Sequence, residues 1–152
     1  MEKINATGTF NQGFMTTELA AAAILDLKWH MLESLPVISS EVEKSFVEGF
    51  EAQACAEMDL IDEIIPRYRT TYFAHIFSGG YSAGYYSYLW AEVLDKDAFE
   101  LFMEKGIFDA ETAMSFRRNI LEKGGSDEPM DLYRRFRGAD PDAAALTRAR
   151  GL

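Results

Sequence analysis

Residues Tyr72–Trp90 read YFAHIFSGGYSAGYYSYLW, a stretch holding five of the chain's 7 tyrosines, one of its 2 histidines and one of its 2 tryptophans. After the Gly79-Gly80 pair the residues fall into two stripes at about 100° per residue. Tyr81, Tyr85, Tyr88 and Glu92 lie on one face; Tyr86, Leu89, Trp90 and Val93 lie on another. That period predicts a helix running on from the glycines and an all-α fold organised around it. Glycine has no Cβ, so the backbone at 79–80 can turn left-handed or lie close against another segment.

The Tyr86 stripe reads as ordinary core. The Tyr81 stripe carries three phenols, each protonated at neutral pH and able to donate to an anion or a carbonyl oxygen. Beside a reacting carbonyl, such donors steady the oxyanion of acyl transfer, at ~3–4 kcal/mol for one donor lost. His75, just before the glycines, can add a fourth. A plainer reading stands beside this one. A tyrosine row at helical spacing also serves as half-buried packing with wetted tips, and His75 alone also fits a satisfied core position.

Toward the N-terminus, Gly8–Gly13 reads as a loop. Thr16 or Thr17 is placed to cap a helix with the apolar line Ala20, Ala23, Ile24, Leu27 and Met31, stopped by Pro36. His30, near its end, reads as a core or boundary residue. Ser40-Glu41-Val42-Glu43 has the capping-box pattern and opens a helix with Val42, Phe46, Phe50 and Ala54 on one side. Its carboxylates Glu41, Glu43, Glu48 and Glu51 are expected to face water rather than gather round a metal. Asp59–Pro66 predicts a short helical turn. Arg67–Phe77 stays unassigned, because TTYF is strand-like in composition but short and isolated.

Toward the C-terminus the punctuation is clear. Asp95 or Asp97 begins a helix carrying Phe99, Phe102 and Met103, closed by Gly106. Asp109 caps the next, with Ala113, Phe116 and Ile120 inward and Gly124-Gly125 at its end. Ser126–Pro129 starts a helix using Met130, Tyr133 and Phe136, ended by Gly138. Asp140-Pro141 sets an N-cap before a proline at the first position of a last helix that fades at Gly151.

The chain has 152 residues, 48% of them hydrophobic, which suits a single folded domain spanning residues 1–152. A net charge of −10 argues against a nucleic-acid partner, since phosphate neutralisation needs clustered cations. Arg134, Arg135 and Arg137 form the densest basic cluster and read as a solvated helix face rather than an anion site. Cys55 is the only cysteine, which excludes an intrachain disulfide and suits a reducing, cytoplasmic compartment. The apolar run Leu19–Leu25, closed by Glu18 and Asp26, falls far short of the ~20 residues that span a bilayer, so no membrane partner is expected. The opening residues do not form a signal peptide; in a piece of a longer protein, that says nothing about export.

HIFSGGYSAGYYSYLWAEVL (75–94) closely resembles the C-terminal signature of the thimet-oligopeptidase-like zinc metallopeptidases, nearest the bacterial peptidyl-dipeptidase branch. FNQGF (10–14), IPRYRTTYFAHIF (65–77), FRRNILEKGGSDEPMDLYRRFRG (116–138) and the closing Gly151-Leu152 resemble the same family in the same order. The resemblance implies hydrolysis of short peptides at a zinc-bound water. It also implies that His75, Tyr81, Tyr85 and Tyr88 line the substrate cleft opposite the metal. Tyr85 and Tyr88, with His75, would steady the tetrahedral intermediate. Tyr81, again with His75, would hold the substrate backbone, and the Gly79-Gly80 loop would flex over it.

One departure matters. The family's H-E-x-x-H zinc helix is missing, since His30 and His75 are the only histidines and neither is followed by Glu. The chain therefore reads as the C-terminal part of a larger helical catalytic domain. Zinc belongs to the whole enzyme and none is expected on this chain. Its partners would be short peptides and the remainder of the peptidase polypeptide, and the piece alone should be inactive and prone to self-association through faces such as that of Ile24 and Leu27. Two alternatives are a non-enzymatic helical module binding peptides or a partner along the tyrosine face, and a role in oligomer assembly alone.

Overall fold

The computed structural model describes the backbone of residues 7–34 and 40–152, and the side chains of 7–34 and 44–152. These residues form helices and turns and contain no strand, so the fold is all-α as expected. They divide into two compact units, Phe10–Leu89 and Trp90–Leu152, the latter together with the segment ending at Thr9.

In the Phe10–Leu89 unit, α1 (Gln12–His30) starts at Asn11, whose φ of 58° is left-handed, with no side chain capping it. Thr17 lies inside the helix and donates its hydroxyl to the Gly13 carbonyl at 2.8 Å, so the expected Thr16 or Thr17 cap is not the start. The buried face also differs from the expected line. Ala21, Ala22, Ala23, Leu25 and Asp26 are inside, while Ile24 and Met31 are exposed. Residues 19–25 are apolar all round, so periodicity could not choose a face; the small alanines let other segments approach closely. The core they meet consists of Phe73, Ile76 and Tyr85, with Leu19, Trp29 and Tyr68 packed at its edge.

Helix α2 (Ser40–Glu57) begins at the expected residue; the capping-box side chains and Pro36 lie outside the described ones. Phe50 stacks tilted on Trp29 with centroids 4.0 Å apart, and Phe46 meets the same indole edge-on at 6.2 Å. Glu51 corrects the expectation of a solvated acidic face. It is buried, accepts the Thr70 N–H at 2.7 Å and pairs with Arg69. A buried backbone donor needs a partner, and this carboxylate supplies it. Residues 58–66 are two successive turns, with Asp59 left-handed at φ 50°, instead of a helical turn. The unassigned stretch holds one tight 3₁₀ turn, Thr70–Tyr72, and the short helix α3 (Ala74–Phe77). Helix α4 (Ser87–Lys105) starts where this unit closes.

In the Trp90–Leu152 unit, α4 runs unbroken through Asp95 and Asp97, so neither aspartate starts a helix. Asp97, 1% exposed, instead accepts the Tyr133 hydroxyl at 2.6 Å and the Arg137 Nε–H at 3.2 Å. Asp109 caps α5 (Ala110–Phe116) as expected, accepting the Thr112 N–H at 2.7 Å. Thr112 rather than Ala113 is buried, one turn before Phe116, and a wider π turn follows at Arg117–Leu121. Phe116 meets Phe102 and Phe136 edge-on at 5.9 and 5.1 Å.

Helix α6 (Pro129–Arg137) has proline in its first turn and left-handed Gly138 at its end, as expected. Its arginines are ion-paired: Arg134 with Asp131 and Asp140, Arg135 with Asp127, Arg137 with Asp97 and Glu104. Helix α7 (Ala144–Arg150) starts beyond Asp140-Pro141, because Asp142 takes the Ala144 N–H at 3.0 Å while Arg148 holds that carboxylate. Among the described residues no helix is long and apolar enough to cross a membrane.

Candidate functional site

The segment after α3 is a tight reversal. Gly79 packs so closely that a Cβ there would lie 2.9 Å from both Cα and O of His75, and Gly80 is left-handed at φ 81°. These are the two uses expected of the pair. The reversal closes with the Tyr81 N–H on the His75 carbonyl at 3.1 Å and the Ser82 hydroxyl on the Ile76 carbonyl at 2.5 Å.

The expected continuous tyrosine helix does not begin at Tyr81. Residues 82–86 form turns bonded three residues apart, with Gly84 N–H on Tyr81 O at 2.8 Å and Ser87 N–H on Gly84 O at 3.0 Å. Ala83 is left-handed at φ 53°, which breaks the helical period. Asp26 makes this geometry possible. Its Oδ1 accepts the Ala83 N–H at 3.0 Å and its Oδ2 the Tyr85 N–H at 2.9 Å.

The rings nevertheless come together. Tyr81 stacks on Tyr88 with centroids 5.2 Å apart and planes 25° apart, and Tyr85 meets Tyr88 edge-on at 5.2 Å. The His75 ring lies 5.9 Å from Tyr85 and 6.2 Å from Tyr81. The three phenols do not share one environment. Tyr81 and Tyr88 are 38% and 40% exposed, whereas Tyr85 is 3% exposed and packs edge-on against Phe73 at 4.9 Å.

Burial raises the Tyr85 phenol above its usual range, with Arg67 opposing in part. Tyr88 is raised first by a side-chain hydrogen bond with Tyr81 and then by partial burial. Both therefore keep their protons well past neutrality, and a protonated phenol is a donor. What the cluster offers chemically is hydrogen-bond donation beside a tight glycine turn.

Residues 1–152 match the model of peptidase family M3 over their whole length. The chain belongs to that family. Family M3 proteins are zinc-dependent metallopeptidases. Its relatives include the dipeptidyl carboxypeptidase of Salmonella typhimurium, 43% identical over 152 residues covering 99% of this chain and 22% of that protein. The dipeptidyl carboxypeptidase of Escherichia coli is 41% identical over 99% of this chain and 21% of its own length. Oligopeptidase A of Escherichia coli is 60% identical over 80 residues, 53% of this chain and 12% of that protein. The chain thus spans about a fifth of the length of the dipeptidyl carboxypeptidases it matches end to end.

The family's metal does not fit the residues at hand. Among the described residues no group of three or more His, Cys, Asp or Glu side chains is placed to hold an ion. His30 turns its Nδ1 to Asp26, and His75 sits among tyrosine rings.

Two M3 residues escaped the sequence reading. Asp26 closes the apolar run Leu19–Leu25, yet a carboxylate following seven continuous apolar residues is itself a signal that it is buried with a task. Tyr68 stacks on Phe73 at 5.0 Å and lies 5.1 Å from His75 and 6.3 Å from Tyr85, which makes it the back wall of the cluster. Nothing in its sequence context distinguishes it from a surface tyrosine.

Proposed function

We propose that the chain is the C-terminal, substrate-facing part of an M3 peptidase catalytic domain that hydrolyses short peptides in the cytoplasm. The observation carrying this reading is the meeting of His75, Tyr81, Tyr85 and Tyr88 around one glycine turn. Tyr88 presents the more accessible phenol and, with Tyr85 and His75, donates to the oxygen of the carbonyl under attack as it gains charge. Tyr81 and the Gly79-Gly80 turn hold the peptide backbone. A donor that strengthens its bond as charge develops raises kcat, whereas one that binds substrate and transition state alike changes only KM.

The metal, its ligands and the general base come from outside these residues, so this part alone hydrolyses nothing. The test is Tyr88→Phe in the zinc-loaded peptidase polypeptide that carries this segment. The proposal expects kcat to fall about 10²-fold with KM little changed. A kcat within twofold of wild type sinks it.

A further inference from the structure

We infer that Asp26 is a positioning residue for the tyrosine cluster, its carboxylate fixing the backbone turn that aims Tyr85 and Tyr88. This deepens the reading above and rests on it. Asp26 is 0% exposed, one turn before the C-terminal end of α1 and just beyond its buried alanines. Burying a carboxylate is costly unless its oxygens are filled, and here they are. Oδ2 takes the Tyr85 N–H at 2.9 Å, and Oδ1 takes the Ala83 N–H at 3.0 Å. His30 Nδ1 lies 2.8 Å from Oδ1 and 2.9 Å from the Asp26 carbonyl oxygen. Facing two acceptors, that nitrogen carries the proton and donates.

The geometry explains why a carboxylate is required. Ala83 is left-handed, a conformation unfavourable for a non-glycine residue, and the N–H groups of Ala83 and Tyr85 that this turn presents are met by the two oxygens of one side chain. Asparagine offers one acceptor and one donor, so one of the two amides would face an N–H. The Asp26 carboxylate accepts from the backbone amides of Ala83 and Tyr85, so its effect passes through the backbone of residues 83–85.

The experiment compares Asp26→Asn with Asp97→Asn in the zinc-loaded peptidase polypeptide. Asp97 is an equally buried anchor, but for Tyr133 and Arg137. Three quantities are read: kcat and KM for a short peptide, zinc content, and amide hydrogen exchange in residues 81–86. Asp26→Asn is expected to speed exchange in that segment and lower kcat about 10²-fold, a misplacement effect, with zinc retained. Asp97→Asn is expected to lower thermal stability while leaving kcat within twofold and exchange at 81–86 unchanged.

Unchanged exchange in Asp26→Asn, or a kcat loss no greater than that of Asp97→Asn, overturns the inference. If Tyr88→Phe keeps wild-type kcat while Asp26→Asn still loses it, the reading of the phenols falls and the positioning role stands. Should Asp26→Asn not fold, His30→Ala decides, since it removes the carboxylate's third donor, the one that shares Oδ1 with Ala83, and leaves both backbone donors in place. Faster exchange at 81–86 with lowered kcat supports the role, and wild-type values of both overturn it.

Discussion

The rings of Tyr81 and Tyr88 lie stacked, 5.2 Å between centroids and 25° between planes, although a left-handed residue at Ala83 interrupts the helix between them. The turn and the helix start together do what a continuous helix would have done alone. They bring phenols seven residues apart onto one spot.

The glycine turn gives the first expectation. Gly79→Ala places a methyl 2.9 Å from His75 backbone atoms that cannot yield, whereas Gly80→Ala meets open space and suffers only the strain of φ 81°. Left-handed strain is worth roughly 1–2 kcal/mol, and a backbone clash costs more. Gly79→Ala should therefore lower the unfolding temperature further than Gly80→Ala and should also displace His75. Equal effects in thermal melts would show that the turn opens freely.

Tyr133 makes the alkaline side of stability testable. Burial, then its hydrogen bond to Asp97, raises its phenol far above the ordinary value of about 10. A group whose folded pKa lies above its unfolded one contributes stability that is full below pH ~10 and lost as pH rises, because the unfolded chain ionises first. Melting of the wild type should fall steeply above pH 10, and Tyr133→Phe should flatten that slope. It should also lower stability near pH 7 by about 1–3 kcal/mol, since Asp97 loses a buried partner. An unaltered slope would contradict this.

Acid behaviour runs the other way. Arg148 holds Glu100 and Asp142 below the usual carboxylate range, and the Thr112 N–H does the same for Asp109. Carboxylates depressed in this way contribute stability above about pH 4, lost as pH falls through their folded values. Asp142 is exposed and Glu100 and Asp109 are half-buried at the surface, so the effect should be modest and should shrink with salt. Melting curves between pH 5 and pH 2, with and without Arg148→Ala, check it. The variant should lose less on acidification than the wild type.

Much of this was readable in advance, and what was not had physical reasons. The turn glycines, the Asp109 cap, the proline start of α6 and the family signature each depend on a few adjacent residues, so local chemistry suffices. The buried face of α1 was not readable, because seven continuous apolar residues carry no phase. Asp26, Glu51 and Asp97 were misread for one shared reason: each carboxylate is buried to meet a donor on a distant segment, the backbone amides of Ala83 and Tyr85, the amide of Thr70, and the Tyr133 hydroxyl. Sequence spacing cannot show such a partner. The tyrosine stripe was right about convergence and wrong about the path, since the Asp26 bonds that bend residues 82–86 are invisible at helical period.

Exposed apolar side chains set a further expectation for the 152-residue chain studied alone. Phe108 is 97% exposed, Phe10 78% and Met31 76%. Large exposed apolar surface tends to recruit a partner, so the isolated chain should self-associate in sizing chromatography, more at high concentration. A monomer at all concentrations would count against it.

The central claim is that the phenols act on the transition state rather than on the bound peptide. The direct measurement is the affinity of the zinc-loaded peptidase, wild type and Tyr88→Phe, for a phosphinic peptide that mimics the tetrahedral intermediate, set against its affinity for the matching uncleaved peptide. Tyr88→Phe should weaken the mimic about 10²-fold and the peptide no more than about twofold. Equal weakening of both would mean that the tyrosines merely bind substrate, and the account would fail.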